Sequence, residues 1–165
     1  MPDLMIRAFS PADIPAVTRI YGYYVRETTI TFETEEPDEA EMASRFAGIV
    51  GKGHPLLIGE LDGEVIGYAY ASTYRPRAAY RFTCEDSIYL DKDAVGQGFG
   101  GTMLDRLITE SSKAGLKQML AVITAERANS IRLHEKHGFR MIGRYEALGF
   151  KFDRWLDIVH MQRAL

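Results

Sequence analysis

Apolar residues along this chain alternate between two spacings, and the switches between them mark out its elements. Leu4, Met5 and Ile6 open a short strand that closes at Ala8. Ser10, Pro11 and Asp13 then read as a helix start: a hydroxyl at the cap, a proline where no amide is needed and an acid in the first turn. Ile14, Val17, Ile20, Tyr21, Tyr24 and Val25 recur at the three- and four-residue intervals of one helical face. Residues 28–36 are polar and β-branched, a loop. A second helix opens at Asp38, carries Met42, Phe46, Ile49 and Val50 as its stripe, and stops at Gly51-Lys52-Gly53. Residues 55–61 and 64–72 are strands about an Asp62-Gly63 hairpin turn. A basic, aromatic loop, residues 74–81, leads into a strand over residues 82–90.

The second half alternates strand and helix. A helix with apolar positions at Phe99, Met103, Leu104, Leu107 and Ile108 runs to Ala114 and ends at Gly115. An apolar strand covers 116–123, and a short helix capped by Asn129 or Ser130 ends at Gly138. Two strands, 139–146 and 154–162, complete the chain. The order β-α-α-β-β-β-α-β-α-β-β holds one β-α-β unit, which needs a parallel pair, among hairpins, which are antiparallel. It predicts an α/β (α+β) fold: a single mixed, mostly antiparallel sheet with helices on both faces. The 165 residues favour one domain, 1–165.

Composition narrows the function. With 46% hydrophobic and 26% charged residues the chain is globular. Twenty basic residues against 23 acidic ones leave a net charge of −3, without the basic excess of a dedicated nucleic-acid binder. One cysteine excludes an internal disulfide. No signal peptide is visible and no apolar run approaches the ~18 residues of a membrane span, so the expected location is the cytoplasm.

The densest chemical signal is Gly96-Gln97-Gly98-Phe99-Gly100-Gly101, at a strand-to-helix junction. Glycines let the backbone approach a ligand, and the first amides of a helix are unpaired and partly positive, so the junction suits a phosphate. A turn that merely reverses the chain is the alternative. The spacing formally matches a dinucleotide fingerprint, but the region about 20 residues on, Leu120 to Ile123, is apolar where that fold needs an acid. Nor does the loop end in the Gly-Lys-Ser/Thr of a nucleoside-triphosphate site. Before the loop, alternation puts Thr83, Glu85, Ser87 and Tyr89 on one strand face and Cys84, Asp86, Ile88 and Leu90 on the other. A carboxylate inside an apolar strand is costly unless it is paired or functional, which makes Glu85 a candidate base.

The element order and glycine loop resemble the GNAT superfamily of acyl-CoA-dependent N-acetyltransferases over about residues 5–163. Three segments, Thr83 to Tyr89, Ser130 to Phe139 and Gly149 to Asp157, are similar to the phosphinothricin and methionine sulfoximine/sulfone acetyltransferase group. The resemblance implies acetyl transfer from acetyl-CoA to the α-amine of a small amino acid or analogue, without a metal, in a homodimer that engages neither nucleic acid nor membrane. Glu85 would take the amine proton. His134, where most of the superfamily has a tyrosine, would protonate the thiolate or share removal of the amine proton with Glu85. Arg75, Pro76, Arg77, Glu85, Asp86 and Ser87 would meet the acceptor. Ile88, Tyr89 and Leu90 would pair with the pantetheine arm, and Gly96, Gln97, Gly98, Phe99, Gly100, Gly101, Asn129 and Lys136 would contact the rest of CoA. Two positions depart from the pattern: Val95 replaces an Arg or Gln at the head of the loop, and Arg127 replaces an Asn seven residues before His134. Acetylation of a peptide amine, CoA sensing without turnover and covalent catalysis through Cys84 are the competing readings.

Overall fold

The structure is a computed structural model that describes residues 3–165. Its elements run β1 (Met5–Ala8), α1 (Ile14–Glu27), α2 (Glu39–Gly51), β2 (Leu56–Leu61), β3 (Glu64–Thr73), β4 (Thr83–Leu90), α3 (Phe99–Lys113), β5 (Gln118–Thr124), α4 (Ala128–Lys136), β6 (Arg140–Lys151) and β7 (Arg154–Ala164). The strands form one sheet in the order β1-β2-β3-β4-β5-β7-β6. Only β4 and β5 are parallel; the other five pairs are antiparallel. The expected order of elements and mixed sheet are both present.

Among the boundaries that differ from expectation, three have a visible local cause. Pro11–Asp13 forms a 3-10 turn ahead of α1, where the Asp13 carboxylate accepts from the Ser10 amide at 2.8 Å and from Arg7. The cap of α4 is Arg127 rather than Asn129 or Ser130, since the Arg127 carbonyl already accepts from the Ile131 amide at 3.1 Å. β6 continues to Lys151 because a register shift between Tyr145 and Gly149 absorbs the extra residues Glu146, Ala147 and Leu148. Ala147 takes a φ of 49° there, and its amide donates to Asp157 at 2.8 Å.

Strand alternation sorts the core onto two faces. Leu57, Ala69, Ala71, Cys84, Met119, Ala121 and Met161 pack under α3 through Met103, Leu104 and Leu107. Leu56, Ile58 and Tyr68 pack under α1 and α2 through Val17, Ile20, Met42 and Phe46. No helix among the described residues is long and apolar enough to cross a membrane.

The feature that creates a site is a split in the middle of the sheet. β4 pairs with β3 along its whole length, from Thr73↔Cys84 to Gly67↔Leu90, but with β5 only over Thr83, Cys84 and Glu85. β5 meanwhile follows β7 through Thr124↔Ile158. From Asp86 to Leu90, β4 therefore presents a backbone edge with no strand beside it. The end of α1 wedges this gap. Tyr24 donates its hydroxyl to the Leu90 carbonyl at 2.5 Å, and Tyr89 is clamped among Tyr21, Tyr24 and Tyr68 at centroid separations of 5.1–5.4 Å. The following loop holds β5: Thr124 donates to the Thr29 carbonyl, and Thr29 to Glu126, each at 2.5 Å.

Candidate active site

Glu85 and Asp86 stand where the two strands part, and the sheet sends their side chains to opposite faces. Tyr89 belongs to the α1/α2 core, while Ile88 and Leu90 pack under α3. By alternation Glu85 and Ser87 share the α1/α2 face, and Asp86 faces α4. Glu85 is partly buried and has no ion pair or side-chain hydrogen bond among the described residues. Burial, and then the adjacent Asp86 charge, push its carboxyl above the ordinary value. That is the direction in which a carboxylate becomes a better proton acceptor.

Asp86 is handled in the opposite way. Its Oδ2 lies 2.7 Å from His134 Nε2, and both side chains are almost fully buried, at 5% and 7% exposure. The other ring nitrogen, Nδ1, donates to the Ser130 carbonyl at 2.7 Å. Both nitrogens therefore face oxygen atoms, an arrangement that favours the doubly protonated ring. Burial lowers the His134 pKa, but the Asp86 hydrogen bond and charge and the Ser130 carbonyl outweigh it, and the net shift is upward. In this geometry the Asp86 side chain turns toward α4, away from the face that Glu85 shares with Ser87, and both ring nitrogens of His134 are engaged.

The remaining expected acceptor contacts, Arg75, Pro76 and Arg77, sit on the exposed loop between β3 and β4. Arg75 lies over Tyr74 at 5.1 Å and Tyr80 at 6.0 Å, while Arg81 covers Phe82 instead. Arg75 and Arg77 have no carboxylate partner among the described residues. Cys84 is fully buried, its thiol pushed up to about 12 by burial first and neighbouring carboxylates second, and it meets the Gln118 carbonyl. A buried thiol held protonated is a poor nucleophile, which argues against the covalent reading.

On the cofactor side, Gly96 and Gly98 have φ of 85° and 88°, and a Cβ at either would meet nothing within 4 Å. The backbone is open to a ligand there. Gly98 caps α3, whose first helical bond is Thr102 N to Gly98 O, so the amides of Phe99, Gly100 and Gly101 have no helical partner. Gly100 and Gly101 also let α4 pack closely, through Leu133 and His137. Gln97 turns back to the Asp93 carbonyl at 3.1 Å. His137 and His160 pack, against Leu133 and Gly101 and against Tyr145 respectively. Lys136 is exposed at the end of α4. Asn129 is exposed and accepts from Arg132, whereas Arg127 buries an Nε with no partner, within electrostatic reach of Tyr24 and Glu126. Sequence reasoning missed the wedge role of Tyr24, which reads as one more apolar stripe residue. It also missed the Asp86–His134 pair, whose members are 48 residues apart.

An open strand edge leading to a helix-capped glycine cradle, with a raised carboxyl at the point of opening, is an arrangement that suits an acyl-CoA transferase. A model of the acetyltransferase (GNAT) domain matches residues 6–160. The chain is 45% identical to the phosphinothricin N-acetyltransferase of Alcaligenes faecalis, over 97% of this chain and 82% of that one. It is 37% identical to the L-methionine sulfoximine/L-methionine sulfone acetyltransferase of Pseudomonas aeruginosa, over 97% and 94%. A crystal structure of a phosphinothricin acetyltransferase from Sinorhizobium meliloti in complex with AcCoA superposes with a TM-score of 0.96 at 45% identity, covering 98% of this chain and 88% of that one. The chain belongs to the GNAT acetyltransferase family, and its activity is acyl-CoA-dependent N-acetyl transfer.

The buried pair makes stability depend on pH. Because the folded-state pKa of His134 is raised, its contribution is complete below the unfolded value, about 6.5, and is lost as pH rises through the folded value. Asp86→Asn is expected to cost about 3–5 kcal/mol, the usual penalty for breaking a buried pair. It should also remove this alkaline loss from urea melts recorded between pH 5 and 9. A variant with wild-type stability and an unchanged pH slope would mean the pair carries no net interaction.

Proposed function

We propose that the chain moves the acetyl group of acetyl-CoA directly to the α-amine of a small amino acid or amino-acid analogue, of the phosphinothricin, methionine sulfoximine or methionine sulfone type. The observation that carries this reading is the position of Glu85, unpaired and raised in pKa, at the last residue where β4 still pairs with β5. Acetyl-CoA supplies an activated thioester. The Asp86–Leu90 edge receives the pantetheine arm as an added strand, and the amides of the glycine loop and the start of α3 hold the pyrophosphate. Arg127 takes the cofactor contact for which Asn129 is turned the wrong way. Glu85 takes the amine proton, directly or through a water. Arg75 and Arg77 take the acceptor's carboxylate or other anionic group, with Pro76 fixing the bend between them and Ser87 lining the acceptor face. His134, held by Asp86, positions α4 against the open part of β4 rather than delivering a proton. We further propose that the 165 residues work as one cytoplasmic acetyltransferase domain in a homodimer. Tyr145, Leu148, Phe150 and Trp155, each 49–66% exposed along the β6–β7 hairpin, supply the apolar surface for the second copy.

Sedimentation at micromolar concentration should give the mass of two chains, and a single-chain mass would remove the dimer. For the chemistry, thiol release from acetyl-CoA is followed with phosphinothricin, methionine sulfoximine and methionine sulfone as acceptors. Glu85→Gln should lower kcat by about 10²–10⁴-fold, the usual worth of a general base, with little change in acetyl-CoA affinity. Because the Glu85 pKa is raised, wild-type activity should fall as pH drops through a point above the ordinary carboxylate range, and the variant should lose that limb. Near-normal kcat with an unchanged acidic limb would end the assignment.

A further inference from the structure

The segment between α1 and α2 has no regular structure, yet three threonines fix it. Thr28 donates to the Tyr24 carbonyl at 2.8 Å, Thr29 to Glu126, and Thr31 meets the Tyr21 hydroxyl at 2.8 Å; all three are buried. Lys151 adds a fourth anchor, donating to the Thr31 carbonyl at 2.8 Å from a nearly buried position on β6. A loop pinned this firmly presents its next side chains in a fixed place. Phe32 is pressed onto Gly149, where a Cβ would come within 2.2 Å of the ring, and Glu33 follows.

Glu33 is held at one oxygen only. Its Oε1 pairs with Arg45 of α2 at 2.5 Å, while Oε2 is shielded from solvent without a hydrogen bond of normal length, the nearby Tyr21 hydroxyl being engaged with Thr31. A carboxylate oxygen kept dry without a close donor is costly, so a ligand that brings one is favoured. The location indicates which ligand. Tyr70, opposite Ser87 in the sheet, lies within the fields of Arg45, Glu33 and Glu85 alike. Lys151 and Tyr21 also sense Glu33. Glu33 thus borders the acceptor face that carries Glu85, and the cationic loop of Arg75 and Arg77 leads into β4 on the other side of that strand's start.

We infer that Glu33 is a specificity-determining residue that binds the α-ammonium of the incoming acceptor through Oε2, opposite the arginines that take its anionic end. This deepens the acetyltransferase reading and rests on it. An amino acid at neutral pH arrives as a dipolar ion, and a site with arginines alone would accept any anion. One carboxylate for the ammonium at each end of the event divides the work: Glu33 holds the cation as it arrives, and Glu85 takes the proton as it is lost. The Glu33 contact weakens as the nitrogen becomes neutral, so it serves binding rather than rate.

The test compares two ligands that differ in charge at that nitrogen. L-Phosphinothricin and its N-acetyl product are titrated calorimetrically into wild-type enzyme, Glu33→Gln and Glu33→Asp, with CoA present, and turnover of L-phosphinothricin is measured alongside. Glu33→Gln should weaken the amine at least tenfold and raise its KM in step, with kcat within about threefold of wild type. The N-acetyl product should bind all three forms alike, and Glu33→Asp should restore part of the amine affinity. Equal loss for amine and product, or no loss for either, overturns the inference and leaves Glu33 as a structural partner of Arg45. If wild-type enzyme neither binds nor acetylates L-phosphinothricin while methionine sulfone is turned over, the same comparison is made with methionine sulfone and its N-acetyl product. If no amino-acid acceptor is turned over, the acetyltransferase reading fails and this inference falls with it.

Discussion

Everything in this molecule turns on a strand edge left open in the middle of a sheet. A buried backbone amide or carbonyl without a partner costs about as much as a lost hydrogen bond, so a split between two central strands is unstable unless something occupies it or holds it. Here α1 holds it. The Tyr24 hydroxyl meets the last carbonyl of β4, the clamp of tyrosines around Tyr89 fixes the strand away from its neighbour, and the threonines after α1 tie the loop to β5. The cost of the split is thereby converted into a linear set of donors and acceptors for a ligand that can add as a strand, and pantetheine, with its two amides, is such a ligand.

The same split explains how two neighbouring carboxylates carry different chemistry. Residues 85 and 86 face opposite sides of one strand. Asp86 meets a histidine that satisfies it in a buried pair. Glu85 meets no cation, is half-buried, and has its proton affinity raised. Position along the strand supplies the rest: Glu85 is the last residue held by β5, so its side chain stands where the opening begins. An ammonium-binding role for Glu33 would add a third carboxylate with a third task, set by a single arginine partner.

Much of the fold was legible in the residues because local periodicity is what the fold uses. The stripes of α1, α2 and α3, the Asp62-Gly63 turn with both φ positive, and the strand alternation that separated Glu85 from Asp86 all survive in the structure. The glycine cradle was legible for the same reason, since Gly96 and Gly98 take conformations that other residues avoid. What stayed hidden was long-range. Nothing local announces that His134 would spend both ring nitrogens on Asp86 and Ser130, that Arg127 would cap α4 and turn inward while Asn129 turned out, or that β6 would run past Glu146 by a bulge at Ala147. Glu33 was read only as part of a polar loop, because its significance depends on which oxygen is left without a partner.

The central claim, that the unpaired edge of β4 is the acyl-CoA binding element, is tested most directly by amide hydrogen exchange with and without saturating CoA. The account predicts slowed exchange concentrated in residues 86–101, the open edge together with the glycine loop and the first turn of α3, with residues 64–73 of β3 unchanged because they are already paired. Saturating CoA that leaves residues 86–90 exchanging at their free rate, while protecting some other surface, would contradict it.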